Sequence, residues 1–271
     1  MAKDLMIANW KMNKSVKETE KFVGDFVKHV KDVEGVDMVI CPPFTALHAA
    51  SDAINDANIK LGAQDMYCED HGAFTGEISP KMVGEFCHYV IVGHSERRHL
   101  FGESNDLINK KVRAALDNSL IPILCIGENL EEREAKNTKN VLEHQLKSCL
   151  KGVSKDDAHK IVIAYEPIWA ISSSGPGKVA TIAQIDEAMS YINHVLDTLF
   201  GEEIEKKMRV IYGGSVTHEN VAELMKKDSV EGCLVGHDSL SAKDFATIVK
   251  FRELIEAEKE SVEKVEKEKT E

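Results

Sequence analysis

The sequence predicts a single (β/α)8 barrel, in which eight parallel strands are ringed by helices. Short apolar, β-branched segments alternate with longer segments of helical periodicity along nearly all of the 271 residues. The apolar segments read as continuous runs, which is typical of parallel strands covered on both faces. Eight strand-then-helix units in about 250 residues fit a closed barrel.

The elements can be placed in order along the chain. The predicted strands centre on Ile7, Val39, Leu61, Ile91, Ile123, Ile163, Ile211 and Leu234. Amphipathic segments predict helices at Val16 to Val30, Asn105 to Leu116, Leu142 to Leu150, Ile182 to Leu199 and Asn220 to Met225. The alternative is an open, doubly wound sheet, but Asn9-Trp10-Lys11-Met12-Asn13 stands where that fold has its Gly-x-Gly-x-x-Gly turn.

Two segments interrupt this alternation. Asp65 to Ser79 predicts a long loop without regular structure, and Met66, Tyr67 and Phe74 make it too apolar for a solvated linker. Residues 257–271 are rich in Glu and Lys and predict a frayed helix or a disordered tail, with an interaction segment as the alternative. No Pro- or Gly-rich linker divides residues 1–256, which we therefore expect to form one catalytic domain.

Net charge, cysteine spacing and the lengths of the apolar stretches indicate which partners and which cellular compartment to expect. The formal net charge of −12 argues against nucleic acid or an anionic membrane surface as the main partner. The six cysteines are scattered without a C-x-x-C pair, so we expect free thiols and no metal site. No signal peptide precedes the apolar run at Leu5 to Ala8, and no apolar stretch approaches the roughly 20 residues that span a bilayer. These observations predict a cytoplasmic protein.

Glu166 is the leading candidate for a catalytic base. It ends the sixth predicted strand in Ala164-Tyr165-Glu166-Pro167-Ile168-Trp169-Ala170-Ile171, and a Ser/Gly/Pro stretch follows. Barrel enzymes build their active sites at the carboxyl ends of strands. A strand-end cap is the structural alternative for this carboxylate.

Two further groups follow other predicted strands. Lys11 lies after the first strand, where a plain surface charge is the alternative, and His94 lies after the fourth, where a structural histidine is the alternative. Glu96 is placed to hold a cation, and Lys11 is a plausible partner. Because the strand ends of a parallel barrel open on one face, Lys11, His94 and Glu166 predict a proton-transfer site with a stabilised oxyanion.

Glycine-rich turns on the same face predict a phosphate site. Tyr212-Gly213-Gly214-Ser215-Val216 follows strand seven, and Gly232 to His237 contains strand eight and its exit turn. Glycines let backbone N–H groups approach an anion, and helix N-termini favour negative charge. The loops after strands seven and eight are a frequent phosphate site in barrels.

Six motifs stand out along the chain: Asn9-Trp10-Lys11-Met12-Asn13, Gly72 to Ser79, Val92-Gly93-His94-Ser95-Glu96-Arg97-Arg98, Cys125-Ile126-Gly127-Glu128, Ala164 to Ala170 and Tyr212 to Val216. In these motifs, and over roughly Lys3 to Phe251, the chain resembles the triosephosphate isomerase family. The motifs are long and occur in the family's order, and the resemblance implies a TIM barrel. The resemblance implies a homodimeric isomerase that interconverts two triose phosphates without a metal or organic cofactor, in glycolysis and gluconeogenesis.

The resemblance also implies roles for individual residues. Glu166 would move the proton, neutral His94 would act as electrophile, and Lys11 would neutralise developing negative charge. The implied substrate-binding residues are Asn9, Lys11, Ser172, Ser215, Gly236 and His237. The implied supporting residues are Glu96, Cys125, Glu128, Trp169 and Tyr212, with Glu128 binding Trp169 in the open lid and Tyr212 latching the closed lid. In the dimer, Thr75 of the 65–79 loop would enter a pocket of the partner.

Two departures from the family pattern stand out. The lid segment Ser172 to Gly177 is longer than the usual Gly-Thr-Gly, and we expect its closure to cost more conformational entropy. After strand eight, Gly236-His237-Asp238-Ser239-Leu240 replaces the usual Gly-Gly-Ala-Ser-Leu. A carboxylate at 238 would be unfavourable near a dianion unless it turned outward. The alternatives to this isomerase are an isomerase or lyase for another small sugar phosphate, and a non-catalytic protein that kept the fold.

Overall fold

The structure, a computed structural model, describes residues 3–54, 57–171 and 179–268. Eight strands follow one another in sequence order around a closed parallel barrel, and the first strand pairs with both the second and the eighth. The predicted (β/α)8 barrel is thereby confirmed, and the open sheet is excluded.

Each of the eight strands contains one predicted strand centre. The strands are β1 (Asp4–Asn9), β2 (Val36–Cys41), β3 (Ile59–Ala63), β4 (Tyr89–Val92), β5 (Ile121–Ile126), β6 (Val162–Tyr165), β7 (Arg209–Tyr212) and β8 (Gly232–Val235). Their apolar residues are buried almost throughout, because helices cover the outer face and side chains fill the interior.

Thirteen α-helices occur in the described ranges. They are α1 (Val16–Val30), α2 (Leu47–Ile54), α3 (Pro80–Gly84), α4 (Ser95–Leu100), α5 (Asn105–Asp117), α6 (Leu130–Glu134), α7 (Thr138–Cys149), α8 (Lys155–Ala158), α9 (Ile182–Phe200), α10 (Glu202–Glu205), α11 (Val221–Leu224), α12 (Ala242–Val249) and α13 (Phe251–Glu268). The five predicted helical segments correspond to α1, α5, α7, α9 and α11. Short helices such as α6 and α10 bury no residue, so they carry no apolar stripe that periodicity could detect.

Two layers of apolar packing hold the barrel together. An inner cluster inside the strands includes Ile7, Ile91 and Ile211. A larger outer cluster lies between strands and helices and includes Phe26 and Phe245, whose rings lie 5.1 Å apart. Burial of each of these apolar side chains stabilises the fold by roughly 1.5–3 kcal/mol. This double packing fixes the strand ends that carry the polar groups.

A buried ion cluster ties the base of the long loop to the neighbouring helices. Lys111 of α5 places its Nζ 2.7 Å from Asp65 Oδ1 and 2.6 Å from Glu103 Oε1. Arg97 of α4 contacts the same two carboxylates, at 2.8 Å from Asp65 and 2.5 Å from Glu103. Burial raises the pKa of Asp65 to about 6, although both cations oppose that shift. The cluster therefore depends on each cation staying in place.

The two unusual segments have defined positions. Asp65 to Ser79 lies between β3 and α3 and contains no helix or strand, as predicted. Helix α13 runs across the expected boundary at residue 256 and pairs Glu258 with Lys226. None of the helices in the described parts of the chain is long and apolar enough to cross a membrane.

We predict that Lys111→Met lowers the free energy of unfolding by about 3–5 kcal/mol, because it leaves two buried carboxylates with less compensation. Denaturant unfolding at one fixed protein concentration measures the loss. The matched control is Lys110→Met, since Lys110 is the exposed neighbour on the same helix. A Lys111→Met protein as stable as the Lys110→Met protein would show that the cluster is energetically neutral.

Candidate active site

A cavity of about 240 Å³ opens at the carboxyl ends of the strands. Its walls come from the strand ends and their loops: Asn9, Trp10, Lys11, Asn13, His94, Glu166, Ile171, Gly213, Gly214, Val216, Leu234, Gly236, His237 and Leu240. The three predicted catalytic side chains therefore meet in one cavity, together with both glycine-rich turns.

Glu166 lies at the end of β6 and is 2% exposed. One carboxylate oxygen, Oε1, lies 3.1 Å from His94 Nε2, and the other, Oε2, accepts the backbone N–H of Ser95 at 3.1 Å. The backbone N–H of Glu166 donates to the carbonyl of Ile126 at 2.7 Å, which extends the β5–β6 ladder to this residue. The carboxylate is thus held by two donors at the cavity wall.

Two glycines make room for Glu166. A Cβ atom at Gly127 would lie 1.8 Å from the carbonyl oxygen of Glu166, and a Cβ atom at Gly213 would lie 2.8 Å from its Cγ. Neither approach is compatible with a side chain. The predicted glycine-rich turn after β7 therefore also leaves space for the carboxylate of Glu166.

His94 is the N-cap residue of α4, and its protonation pattern follows from its contacts. Its Nδ1 accepts the backbone N–H of Glu96 at 3.2 Å, whereas the carboxylate of Glu96 lies 3.7 Å away, too far for a hydrogen bond. A nitrogen that accepts an N–H carries no proton, so the proton of the neutral imidazole lies on Nε2. His94 Nε2 then donates to Glu166 and faces the cavity.

Lys11 is fixed by several contacts just beyond β1. Its Nζ lies 2.7 Å from Glu96 Oε1, which confirms the predicted pairing. Its backbone N–H donates to Asn9 Oδ1 at 3.1 Å, and its carbonyl accepts from Gln64 Nε2 at 2.8 Å. The backbone adopts φ 52, a left-handed conformation that is uncommon for lysine.

A buried carboxylate binds two residues on either side of Glu166 along the chain. Glu128 is fully buried and accepts hydrogen bonds from Trp169 Nε1 at 2.9 Å and from the Tyr165 hydroxyl at 3.1 Å. The Trp169 bond confirms the expected Glu128–Trp169 contact. Arg133 lies over the Trp169 ring, with its Cζ 5.2 Å from the centroid.

Cys125 and Tyr212 pack behind the cavity wall. Burial raises the pKa of the Cys125 thiol, and the nearby charge of Glu166 raises it further, so the thiol stays protonated beside the base. Burial likewise raises the pKa of Tyr212. Its hydroxyl lies against Gly214, where an added Cβ would be 2.1 Å away.

Three carbonyl groups of the 236–240 turn after β8 accept hydrogen bonds. Ser239 donates from its hydroxyl and its backbone N–H to the carbonyl of Gly236, at 2.6 and 3.0 Å. Trp10 Nε1 donates to the carbonyl of Ser239 at 3.0 Å, and Lys14 Nζ to that of Leu240 at 2.7 Å. These bonds fix the turn through its acceptors, which suits a turn that offers N–H groups to an anion.

Asp238 turns away from the cavity. Its Oδ2 accepts the backbone N–H of His218 at 3.0 Å and lies 2.8 Å from His218 Nδ1. The side-chain hydrogen bond that Asp238 accepts is the main reason why the pKa of His218 is raised. The outward orientation that we required for this carboxylate is therefore present.

The remaining predicted residues have different outcomes. Ser172 lies outside the described residues, as does the rest of the 172–177 lid segment. Ser215 lies between two cavity-lining residues, and Asn220 Nδ2 donates to its carbonyl at 2.9 Å. Thr75 lies at the exposed tip of its loop. Across the described residues, no group of three or more His, Cys, Asp or Glu side chains is placed to hold a metal ion.

Sequence reasoning missed two residues of the site. Ser95 contributes its backbone N–H to Glu166, and Gln64 holds the carbonyl of Lys11. The first has a signal in the sequence, because a helix beginning after His94 leaves its first N–H groups directed at the strand ends. Gln64 gives a weaker signal as a polar residue directly after β3.

Comparisons with known proteins agree with one another. A family model described as triosephosphate isomerase matches residues 4–252. The triosephosphate isomerase of Clostridium botulinum strain Loch Maree is 48% identical over 248 residues, covering 91% of this chain and 98% of that protein. That of Aquifex aeolicus is 49% identical, over 90% and 98%. A crystal structure of triosephosphate isomerase from Bartonella henselae matches at a TM-score of 0.83 and 36% identity, over 93% of this chain and 99% of that one.

The contacts of His94 predict its tautomer. We expect ¹⁵N NMR at pH 7 to show an unprotonated Nδ1 and a protonated Nε2, because the backbone N–H of Glu96 occupies Nδ1. His94→Gln assigns the signals, and the exposed His29 on α1 serves as an internal reference for an imidazole in solvent. A protonated Nδ1 would contradict the deduced orientation of the ring's donor.

Proposed function

Because this chain belongs to the triosephosphate isomerase family, we propose that it interconverts dihydroxyacetone phosphate and D-glyceraldehyde 3-phosphate. The observation that carries the proposal is the cavity in which Glu166 Oε1 lies 3.1 Å from His94 Nε2 beside Lys11. A base, a neutral proton donor and a fixed cation are the groups that such a reaction requires. The chain supplies all three, and the proposal includes no metal or organic cofactor.

Glu166 is the base of the proposed mechanism. It removes a proton from C1 of dihydroxyacetone phosphate, which leaves an enediolate. The proton of the C1 hydroxyl then moves to the C2 oxygen, and Glu166 returns its own proton at C2 to give the aldehyde. Both carboxylate oxygens are occupied in the structure, by His94 Nε2 and by the N–H of Ser95. A substrate carbonyl that takes the Nε2–H donor releases the first of these bonds, so substrate binding itself frees the base.

His94 and Lys11 stabilise the charge that develops. The Nε2–H of His94 donates to the carbonyl and enediolate oxygens, since its other nitrogen is occupied by the N–H of Glu96. Lys11, held 2.7 Å from Glu96, places a positive charge at the same cavity. Asn9, which also lines the cavity, adds a hydrogen bond. Fixed donors of this kind stabilise an oxyanion without reorganisation during the reaction.

The phosphate group binds at the opposite wall. Ser215, Gly236 and His237 form this end with the lid residue Ser172, which lies outside the described residues. The bonds that occupy the carbonyls of the 236–240 turn support this assignment. A closed lid excludes water from the enediolate. We assign Glu128 to hold Trp169 in the open lid and Tyr212 to latch the closed one.

The proposal extends to the setting of the enzyme. We assign residues 1–256 to the catalytic barrel and 257–271 to a charged extension, and we place the reaction in glycolysis and gluconeogenesis in the cytoplasm. The negative net charge and the six free cysteines support a reducing compartment without nucleic acid or a membrane as partner.

The 65–79 loop supports a homodimer. Residues 71–77 are all exposed, and Phe74 lies 41% exposed beside Tyr67. Near the cavity, Met12 is 97% exposed although it follows Lys11 directly. We propose that each loop enters a pocket of the partner subunit and brings Thr75 close to the partner's Asn9, Lys11 and His94. This contact would cover the exposed apolar side chains of Phe74 and Met12.

We predict that Glu166→Gln keeps the fold and lowers turnover by about a thousandfold or more, because the amide accepts no proton. Steady-state kinetics in a coupled assay measure the loss, and circular dichroism checks the fold. Glu20→Gln makes the same change on the exposed face of α1 and should leave turnover at the wild-type level. Retention of more than a tenth of wild-type turnover by Glu166→Gln would remove it from the mechanism.

We predict that Thr75→Arg weakens dimerisation and lowers specific activity, because a long cation at the loop tip does not fit a buried pocket. Sedimentation velocity should show monomer, and activity should rise with protein concentration. Thr198→Arg on α9, also at an exposed threonine, should leave both unchanged. A fully active monomer would refute the proposed contact.

A further inference from the structure

Asp238 joins the two turns at the phosphate end of the cavity. The segment after β7, residues 213–220, is held internally by Asn220, which donates to the carbonyl of Ser215 and accepts the N–H of Thr217 at 2.8 Å. The turn after β8 is held by Trp10 and Lys14. Asp238 extends from the second turn and accepts the backbone N–H of His218 in the first.

The contact joins two turns that line the cavity, although Asp238 itself does not line it. Gly213, Gly214 and Val216 of the first segment and Gly236 and His237 of the second line the cavity, whereas Asp238 does not. The side chain of Asp238 is 14% exposed, and it binds both the backbone and the imidazole of His218. A shift between the two turns would therefore move the backbone atoms to which we assign phosphate binding.

The pairing also compensates the charge of Asp238. Its hydrogen bond raises the pKa of His218, and the carboxylates of Asp244 and Glu219 act in the same direction. A raised pKa favours the protonated form of the imidazole, which lies next to the one carboxylate of the 236–240 turn. Two effects of removing the Asp238 carboxylate can therefore be told apart. Loss of its negative charge alone would strengthen binding of an anionic ligand, whereas loss of its positioning contact would weaken it.

We propose that Asp238 is a positioning residue, which holds the two phosphate turns in register through His218. It thereby determines how much the substrate's phosphate group contributes to kcat/KM. The inference rests on the proposed function. The family pattern has alanine at this position, which offers no side-chain acceptor. Interactions with a remote, non-reacting group of the substrate contribute to the rate at the reacting centre.

The test compares a phosphate-bearing with a phosphate-free substrate. We measure kcat/KM for D-glyceraldehyde 3-phosphate and for D-glyceraldehyde, and take the ratio. Asp238→Ala should lower this ratio about tenfold, in line with loss of a charge-assisted hydrogen bond. Asp238→Asn keeps an acceptor for the N–H of His218 and should restore the ratio to within about threefold of wild type.

The control is Asp52→Asn, which alters an exposed Asp–His pair on α2, where Asp52 and His48 lie 3.3 Å apart. It should leave the ratio unchanged. Calorimetry with 2-phosphoglycolate should show weaker binding to Asp238→Ala than to Asp238→Asn.

Three outcomes overturn the inference. A higher ratio in both Asp238 variants would mean that the charge alone matters. An unchanged ratio would mean that the contact does not reach the phosphate, and an equal loss with both substrates would mean general damage. If the wild-type protein did not turn over D-glyceraldehyde 3-phosphate, the proposed function would be refuted instead. Calorimetry would still compare the affinities of the variants for 2-phosphoglycolate.

Discussion

The pairing of the first strand with the last is the constraint on which the site depends. β1 pairs with β8 through Ile7 and Leu234, and this ladder brings the two ends of the barrel sequence together. As a result, an added Cβ on Gly236 would lie 3.9 Å from Cε of Lys11. In an open sheet these two groups would stand at opposite edges, and the cation and the phosphate turn would not share a cavity.

Closure creates an electrostatic problem that the chain solves locally. The protein carries a net charge of −12, yet the function that we propose requires its cavity to bind an anion. Four carboxylates at or behind the cavity wall each have a partner: Glu96 binds Lys11, Glu166 binds His94, Glu128 binds Trp169 and Asp238 binds His218. Repulsion of an anionic ligand is thereby reduced at short range, where it would be strongest.

The sequence predicts the barrel and the meeting of Lys11, His94 and Glu166, because both follow from local patterns. Apolar runs locate strands, and parallel strands place their ends on one face. It does not predict which atoms touch. The two bonds of Glu166 depend on side-chain torsions. The partners of Lys111 are Asp65, after β3, and Glu103, before α5, and they reach the lysine only after the helices pack. The outward turn of Asp238 depends in the same way on where His218 lies.

The left-handed backbone at Lys11 has a consequence for how this site persists. A lysine at φ 52 holds a conformation that costs on the order of 1–3 kcal/mol, and the contacts with Asn9, Gln64 and Glu96 over-determine it. Selection for stability alone would favour glycine or asparagine here. With the role that we propose for Lys11, stability and activity oppose each other at this position. Redesign of the barrel for stability alone would therefore tend to replace the lysine.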